Sequence, residues 1–175
     1  MKNGFSLIEV IVVLALITLF ASLMAGQFSR TRILLEESLS VLTSDIQIAK
    51  SRSISSTKYG GLIRCGYGIR YVDANRYSIY VGPNAATTNC ASINRNYSSS
   101  EDEITETKSL NDQRVEFAFS FNDIFFEPPH PKTYLNNDSA LTAPPLTITV
   151  KKKGGTCPND CKSIRIYTSG KLEAI

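Results

Sequence analysis

The chain has 175 residues, which is enough for one compact domain and one long appended element. Hydrophobic residues make up 42% and charged residues 20% of the sequence, which excludes a disordered chain and a protein with several membrane spans. The 19 basic and 16 acidic side chains give a formal net charge of +3. Because the charges are nearly balanced, they do not indicate nucleic acid as the main partner.

The first element along the chain is an apolar run. Residues 5–26 read FSLIEVIVVLALITLFASLMAG and carry one charged side chain, Glu9. As a helix, this run is long enough to cross the roughly 30 Å hydrocarbon core of a membrane, and the basic Lys2 places the N-terminus on the cytoplasmic side. A secretory signal peptide is disfavoured, because signal peptidase requires small residues before its cut and would meet Leu23 or Met24 there. An ordinary membrane anchor stays an alternative.

The segment around Glu9 carries a more specific motif. It reads KNGFSLIE, which is a short basic leader followed by Gly4, Phe5 and a glutamate four residues further on. This string resembles the prepilin signal of type IV pilins and of the pseudopilins of type II secretion. The resemblance implies that residues 1–4 are a leader, that a prepilin peptidase cuts between Gly4 and Phe5, and that the new amino group of Phe5 is methylated.

Glu9 is expected to have a partner, because a carboxylate inside a spanning helix costs about 3 kcal/mol on insertion scales. After cleavage the helix would begin with the cationic amine of Phe5. If the Glu9 of an incoming subunit neutralises the Phe5 amine of its neighbour, the free-energy cost of removing the two charges from water becomes smaller. We therefore interpret Glu9 as the residue that sets the axial register during assembly. The alternative is an anchor with a chance glutamate.

The helix is predicted to continue past Gly26 to about Ser53, for a total length of roughly 70 Å. Residues 27–59 are interpreted as its amphipathic half, with one face for a sheet and the other for water or neighbouring subunits. The apolar stripe steps by sevens, fours and threes through Phe28, Leu35, Leu39, Leu42, Ile46 and Ala49. The charged residues between them are Arg30, Arg32, Glu36, Glu37, Asp45 and Lys50. A coiled-coil seam is the alternative.

The apolar half also lacks a feature of many filament-forming pilins, which carry a proline midway along this segment. The chain has no proline before Pro83. Gly26 is the nearest candidate for a softened point, because glycine costs about 1 kcal/mol relative to alanine in a helix. The absence of this proline is more common among minor pilins and pseudopilins.

From residue 60 onward the pattern changes to an alternation with a period of two. It predicts strands at 62–72, 76–81, 115–126, 146–152 and 163–168, with a hairpin turn at 73–75. Residues 83–111 and 127–145 are predicted to be linkers, with SSSEDEITET as a solvated loop. The expected fold is α+β: one long N-terminal helix packed on an antiparallel sheet formed by residues 60–175. The order of elements is similar to that of minor pilins and the type II secretion tip pseudopilin.

Four cysteines occur, and a domain outside the cytoplasm lies where disulfides persist. Three pairings are available, of which we favour Cys65 with Cys90 and Cys157 with Cys161. By chain entropy these bonds would stabilise the domain by about 3.5 and 2 kcal/mol. A zinc site with four thiolates is the alternative, although the C-terminal pair has three intervening residues rather than two.

Basic residues cluster near the C-terminus, and they offer a second functional hypothesis. Lys151, Lys152 and Lys153, with Lys162, Arg165 and Lys171 on the adjoining hairpin strand, would form a basic ridge that could hold phosphates. The alternative is a charged edge that discourages strand-to-strand aggregation. The only histidine, His130, lies in a proline-rich stretch and is interpreted as a loop residue without a catalytic role.

These patterns predict a structural subunit of a type IV pilus or of a type II secretion pseudopilus, with no enzymatic activity, cofactor or metal. Its partners would be other pilin-like subunits, the prepilin peptidase and the membrane that holds its N-terminal helix. Before assembly it would be a single-pass protein of the cytoplasmic membrane, and afterwards part of an extracytoplasmic filament. The first alternative is a DNA-binding minor pilin of an uptake system. The second is a membrane-anchored sensor or carbohydrate-binding domain that keeps its leader.

Overall fold

A computed structural model describes residues 7–129 and 132–175 of the chain. Its first element is helix α1, which runs without interruption from Leu7 to Ile54, 48 residues, or about 72 Å. The helix ends where Ser56 adopts a left-handed conformation with φ 46°. The amide of Ser56 then donates to Ser53 O and that of Thr57 to Arg52 O, so the last carbonyls are satisfied.

The second half of α1 is buried along the predicted stripe. Its apolar members are exposed by 7% or less: Leu35, Leu39, Leu42, Ile46 and Ala49. The side chain of Phe28, which the stripe also includes, lies outside the described side chains. The stripe packs against strands of two different sheets, so the helix supplies one side of a shared hydrophobic core.

Nine strands form the two sheets, and every pairing among the described residues is antiparallel. The five-stranded sheet has the order β3-β2-β1-β5-β6 and the four-stranded sheet the order β4-β7-β8-β9. The strands are β1 (Tyr67–Asp73), β2 (Arg76–Val81), β3 (Glu103–Ser109), β4 (Val115–Phe117), β5 (Ile124–Glu127), β6 (Lys132–Leu135), β7 (Leu146–Lys152), β8 (Cys161–Ile166) and β9 (Leu172–Ala174). A short 3-10 helix covers Cys90–Ser92.

The turn between β1 and β2 joins the two sheets. Asn75 O accepts from the amide of Leu110 at 2.8 Å, and Ala74 O accepts from the amide of Phe117 at 2.7 Å. The side-chain amide of Asn75 donates to Val115 O at 2.7 Å. The turn therefore covers the free edge of β4, and it fixes the small sheet against the large one.

The predicted α+β class is confirmed, and the antiparallel strands of the domain are divided between two sheets. The segment predicted as one strand at 115–126 is divided between β4 of the small sheet and β5 of the large one. Its alternation arises because Phe117 and Phe121 both pack edge-to-face on Tyr71 in the common core. The alternating pattern therefore reflects one core and not one hydrogen-bonded ladder.

The predicted strand at 62–72 begins late, at Tyr67. Gly60 and Gly61 both have positive φ, at 59° and 79°, and Leu62 pairs back onto Tyr59 across them. Residues near 62 thus close a local turn before the sheet begins.

Three strands form in segments for which the sequence predicted loops or nothing. β3 lies in the first predicted linker, β6 in the second, and β9 near the C-terminus. β3 is a sheet edge whose side chains are mostly exposed on both faces. An edge strand with so little buried surface does not require alternating apolar and polar residues, so its sequence does not reveal it. Its charged side chains protect the edge from aggregation.

Candidate functional site

The first half of α1 is the most unusual surface of the molecule. Every side chain from residue 7 to residue 22 is exposed, although almost all are apolar. Leu7 is 79% exposed and Phe20 62%, and eleven large hydrophobic side chains in this segment are exposed in total: Leu7, Ile8, Val10, Ile11, Val12, Val13, Leu14, Leu16, Ile17, Leu19 and Phe20. A helix that is apolar all round is stable only when something covers it. So large an apolar surface is therefore a candidate interaction site.

Glu9 lies in the first turn of this exposed segment. There the positive end of the helix dipole favours a carboxylate. Gly4 and Phe5, the predicted cleavage and methylation residues, lie outside the described residues. The predicted pairing of Glu9 with the amine of Phe5 therefore stays a prediction.

The predicted membrane span stays a prediction. Within residues 7–129 and 132–175, no helix is assigned as both long and apolar enough to cross a membrane.

The second half of α1 is fastened to the sheets by polar contacts as well as by its apolar stripe. Asp45, only 3% exposed, accepts from the hydroxyl of Tyr77 at 2.5 Å and from Lys108 Nζ at 2.8 Å. Burial, with the hydrogen bond to Asp45, raises the pKa of Tyr77 well above its usual range. Further along the helix, Ser53 Oγ donates to Phe126 O at 2.7 Å. The helix is thus tied to three strands of the large sheet.

The sequence analysis named Asp45 only as one of the charged residues between the stripe positions, whereas the structure buries it. Asp45 lies directly beside the stripe residue Ile46 and shares its buried face. The charge is tolerated there because Lys108 on β3 and Tyr77 on β2 supply partners. A carboxylate adjoining an apolar stripe was the only local signal that Asp45 is buried. Its partners Tyr77 and Lys108 lie more than thirty residues away in the sequence, so the local pattern could not reveal them.

The four cysteines form two disulfides, Cys65 with Cys90 and Cys157 with Cys161, which is the connectivity favoured from the sequence. The zinc alternative loses its ligands, because no thiol remains. The first bond joins the start of the sheet region to the 3-10 helix and lies in a small second core with Tyr80 and Phe125.

Arg95 holds the loop that this disulfide closes. Its guanidinium donates to the carbonyls of Cys90, Ala91 and Ile93 and to Glu127 Oε2 at 3.0 Å. It also lies over the ring of Tyr134, 4.6 Å from the centroid. A single cation thus links the loop to strands β5 and β6.

The predicted basic ridge is not one continuous surface. In the register of β7 and β8, Lys162 lies opposite the buried Val150, so it shares the helix-facing side of the sheet. Lys151 and Arg165 have the opposite parity and point to the other side.

Carboxylates also partner several of these basic residues. Lys151 Nζ is 3.2 Å from Glu116 and Lys162 Nζ is 3.4 Å from Glu36. Arg165 lies opposite Glu173 in the strand register. Among the described Asp, Glu, His and Cys side chains, no group is arranged to hold a metal, and His130 lies outside the described residues.

A pair of partly buried carboxylates, which the sequence analysis did not single out, holds the loop before β3. Asp123 accepts from the amide of Tyr97 at 2.6 Å, and Asp102 accepts from the amide of Ser98 at 2.7 Å. Burial raises the pKa of Asp102 to about 6, and burial also raises the pKa of Asp123. The guanidinium of Arg70 stacks on Tyr97, 4.2 Å from its ring centroid.

Residues 1–25 match the prokaryotic N-terminal methylation motif, a segment that contains the predicted Gly4–Phe5 junction and Glu9. No curated protein matches the chain by sequence at a significant level.

The fold is similar over most of the chain to a solved structure, that of the type IV minor pilin FimU of Pseudomonas aeruginosa strain PAO1. The TM-score is 0.50 at 12% sequence identity, and the alignment covers 82% of this chain and 90% of that chain. At this identity the likeness establishes the fold.

Proposed function

We propose that the chain is a structural, non-enzymatic subunit of a filament of the type IV pilus or type II pseudopilus kind, of the minor class. The observation that carries this proposal is the contrast within α1. One half is anchored in the domain by apolar and polar contacts, and the other half exposes apolar side chains in every direction. A subunit that is held by its domain and offers a bare apolar helix is suited to helical packing with other subunits.

The free energy available for such packing is large. Fully burying a large aliphatic or aromatic side chain contributes about 1.5–3 kcal/mol, and eleven such side chains are exposed along residues 7–20. Ordering and desolvation costs offset part of this gain. In the proposed sequence of events, a membrane covers the apolar half first, and neighbouring helices cover it in the filament.

Glu9 gives the packing a direction and a register. In the apolar segment it is the only charged side chain, so the processed Phe5 amine of a neighbouring subunit is its natural counter-charge. The two disulfides agree with a domain that works outside the cytoplasm, where such bonds persist. The proposed partners are therefore other pilin-like subunits, and the prepilin peptidase acts before assembly.

The DNA-binding alternative is weakened, because Lys162 lies on one face of the small sheet and Lys151 and Arg165 lie on the other. We therefore do not carry it as a second function. A salt-dependent retardation of duplex DNA by the full chain would overturn this judgement.

Intact-mass spectrometry of the protein purified from membranes of a host with an active prepilin peptidase tests the processing step. The expected mass lacks residues 1–4 and includes one added methyl group, which fragmentation assigns to the amine of Phe5. A Gly4→Val variant serves as the control and should keep its leader. Retention of residues 1–4 in the unaltered chain would contradict the proposal.

A further inference from the structure

The β7–β8 hairpin has its tip at the end of the domain from which the apolar half of α1 leaves. Strand β8 runs in the same direction as the helix. Lys162 Nζ is 3.4 Å from Glu36, and Ile166 lines a cavity with Ile46, which lies about three turns further along the helix. The loop that precedes β8, residues 153–160, therefore projects toward the N-terminal end of α1.

Three basic side chains at this end of the domain have no ion-pair partner in the described structure. Arg32, Lys152 and Lys153 are exposed, and none of the ion pairs within residues 7–129 and 132–175 includes them. Arg32 lines one cavity with Asn159 of the hairpin tip. The helix and the hairpin therefore bring their cations to the same level of the molecule.

Backbone contacts hold the two lysines of the hairpin in place. The amide of Lys152 donates to Asp160 O at 3.0 Å, and the amide of Lys153 donates to Arg114 O at 2.7 Å. The disulfide between Cys157 and Cys161 closes the loop. An ordered tip thus presents these charges.

The carboxylates near the tip do not cancel the three charges. Glu116 pairs with Lys151, and Asp112 pairs with Arg114. Asp160 lies in the loop itself, where its side chain accepts from a backbone amide at 3.4 Å. The three unpaired cations therefore leave a positive excess at this end of the domain.

Helix geometry gives the distance between this end of the domain and the apolar segment. The apolar run ends at Gly26, and Arg32 follows it after about 9 Å along the helix axis. The headgroup layer on each side of a hydrocarbon core is about 5–8 Å thick. A membrane that covers the apolar half of α1 would therefore bring its headgroups to the level of the three cations.

We propose that Arg32, Lys152 and Lys153 bind the phosphate groups of anionic phospholipids before assembly. The inference rests on the proposed function, in which a membrane first covers the apolar half of α1. Each Lys or Arg close to an anionic surface strengthens association by about fivefold, and salt screens this attraction. The contacts would hold the domain in one orientation above the membrane. They would break when the subunit enters the filament, so the lipid composition would influence that step.

A lipid surface fits this arrangement better than nucleic acid does. A duplex that binds by charge typically contacts about 6–10 phosphates, whereas the tip offers three unpaired cations. Lipids diffuse individually to their partners, and the helix already holds the tip beside the membrane surface.

Tryptophan fluorescence tests the proposal, because the chain contains no tryptophan and an introduced one reports only its own position. Asn159→Trp places the probe at the exposed hairpin tip, and Ile54→Trp places a control at the far end of α1. The full-length chain is reconstituted in vesicles of phosphatidylcholine, or of equal parts phosphatidylcholine and phosphatidylglycerol. Part of the phosphatidylcholine carries a nitroxide quencher on its headgroup. Quenching of Asn159→Trp should be stronger in the anionic vesicles than in the neutral ones, and Ile54→Trp should not be quenched in either.

Charge variants of the Asn159→Trp protein identify the groups responsible. Combining Lys152→Gln with Lys153→Gln should weaken the association by about thirtyfold, which is the product of two fivefold effects. Quenching in anionic vesicles should then fall to the level in neutral ones. Lys58→Gln with Lys171→Gln is the matched control, because it removes the same charge from exposed positions away from the tip. It should leave the quenching unchanged.

Extraction of the same vesicles with sodium carbonate separates this inference from the proposed function. A chain that is extracted does not span the membrane, and both would then fail. If the chain stays in the membrane, equal quenching of Asn159→Trp in the two kinds of vesicle would overturn the lipid contact alone. Full quenching in the double lysine variant would do the same, and Arg32→Gln decides the matter if that variant does not fold. Loss of quenching on adding inorganic phosphate at constant ionic strength would indicate a site for free anions, and would also overturn it.

Discussion

The two halves of α1 belong to one continuous helix but have opposite relations to their surroundings. The first half is apolar and exposed, from Leu7 to Ser22, while the second half buries polar side chains such as Ser38, Asp45 and Ser53 together with its apolar stripe. Composition alone would predict that the apolar first half is buried and that the more polar second half is exposed. What decides burial is whether a partner surface exists within the same chain, and the sheets provide one only for the second half.

This comparison also separates folding from assembly. Contacts of the second half stabilise the domain, whereas the first half contributes little to the stability of the isolated chain because nothing in that chain covers it. Substitutions in the two halves should therefore affect different measurements.

The largest effect is expected for Glu9→Ala, and it should appear in assembly alone. Removing the only charge of the apolar segment makes membrane insertion easier, and cleavage after Gly4 should largely survive. In the filament, the Phe5 amine would lose its counter-charge, at a cost of about 3–5 kcal/mol. Each addition would weaken by two to three orders of magnitude. The measurement is the amount of processed protein in sheared filaments relative to membranes.

Glu37→Ala on the exposed side of the second half is the matched control, and it should enter filaments normally. If Glu9→Ala is incorporated at the wild-type level, Glu9 does not determine assembly in this protein.

A pair of leucine truncations gives the next largest effect and tests the comparison directly. Leu42 is fully buried and Leu14 is 57% exposed on the same helix. We expect Leu42→Ala to lower the free energy of unfolding by about 3–4 kcal/mol, from lost burial and the remaining cavity. Leu14→Ala should change it by less than about 0.5 kcal/mol. Urea unfolding in a fixed detergent, followed by near-ultraviolet circular dichroism, measures both.

The contrast between the halves would fail if the two leucine variants lost stability equally. Such a result would mean that the first half already packs on something within the isolated chain.

The smallest effect concerns pH and should be confined to the domain. Because the pKa of Asp102 is raised to about 6 from 3.8, the folded state holds this proton more tightly than the unfolded state. Stability should thus fall as pH rises from about 4 to 6. Asp102→Asn should make this slope shallower, because only the contribution of Asp123 then remains, and it should stabilise the protein at pH 7 by about 1 kcal/mol, a figure discounted for partial solvent exposure. Unfolding curves at several pH values measure the slope.

Asp73→Asn is a control of opposite sign. The hydrogen bond from Arg76 lowers the pKa of Asp73, so this carboxylate stabilises the fold at neutral pH and loses its effect as pH falls. If Asp102→Asn kept the wild-type slope, the burial of Asp102 would not control the pH response.

The sequence by itself determined those features that depend on short-range patterns. The prepilin-like motif at residues 1–25, the buried stripe of α1 and the strands at Arg76–Val81 and Leu146–Lys152 all follow from spacings of a few residues. Helix and strand periods are local properties, so the sequence is sufficient to predict them. The segment that carries the candidate assembly surface was therefore evident before the structure.

Only the tertiary structure decided which strands share a sheet and which polar groups are buried. The division of residues 115–126 between two sheets and the edge strand β3 depend on pairings with distant segments. Asp45 could be buried because Tyr77 and Lys108 meet it from two neighbouring strands. Such contacts join residues far apart in the chain, and a local period carries no information about them.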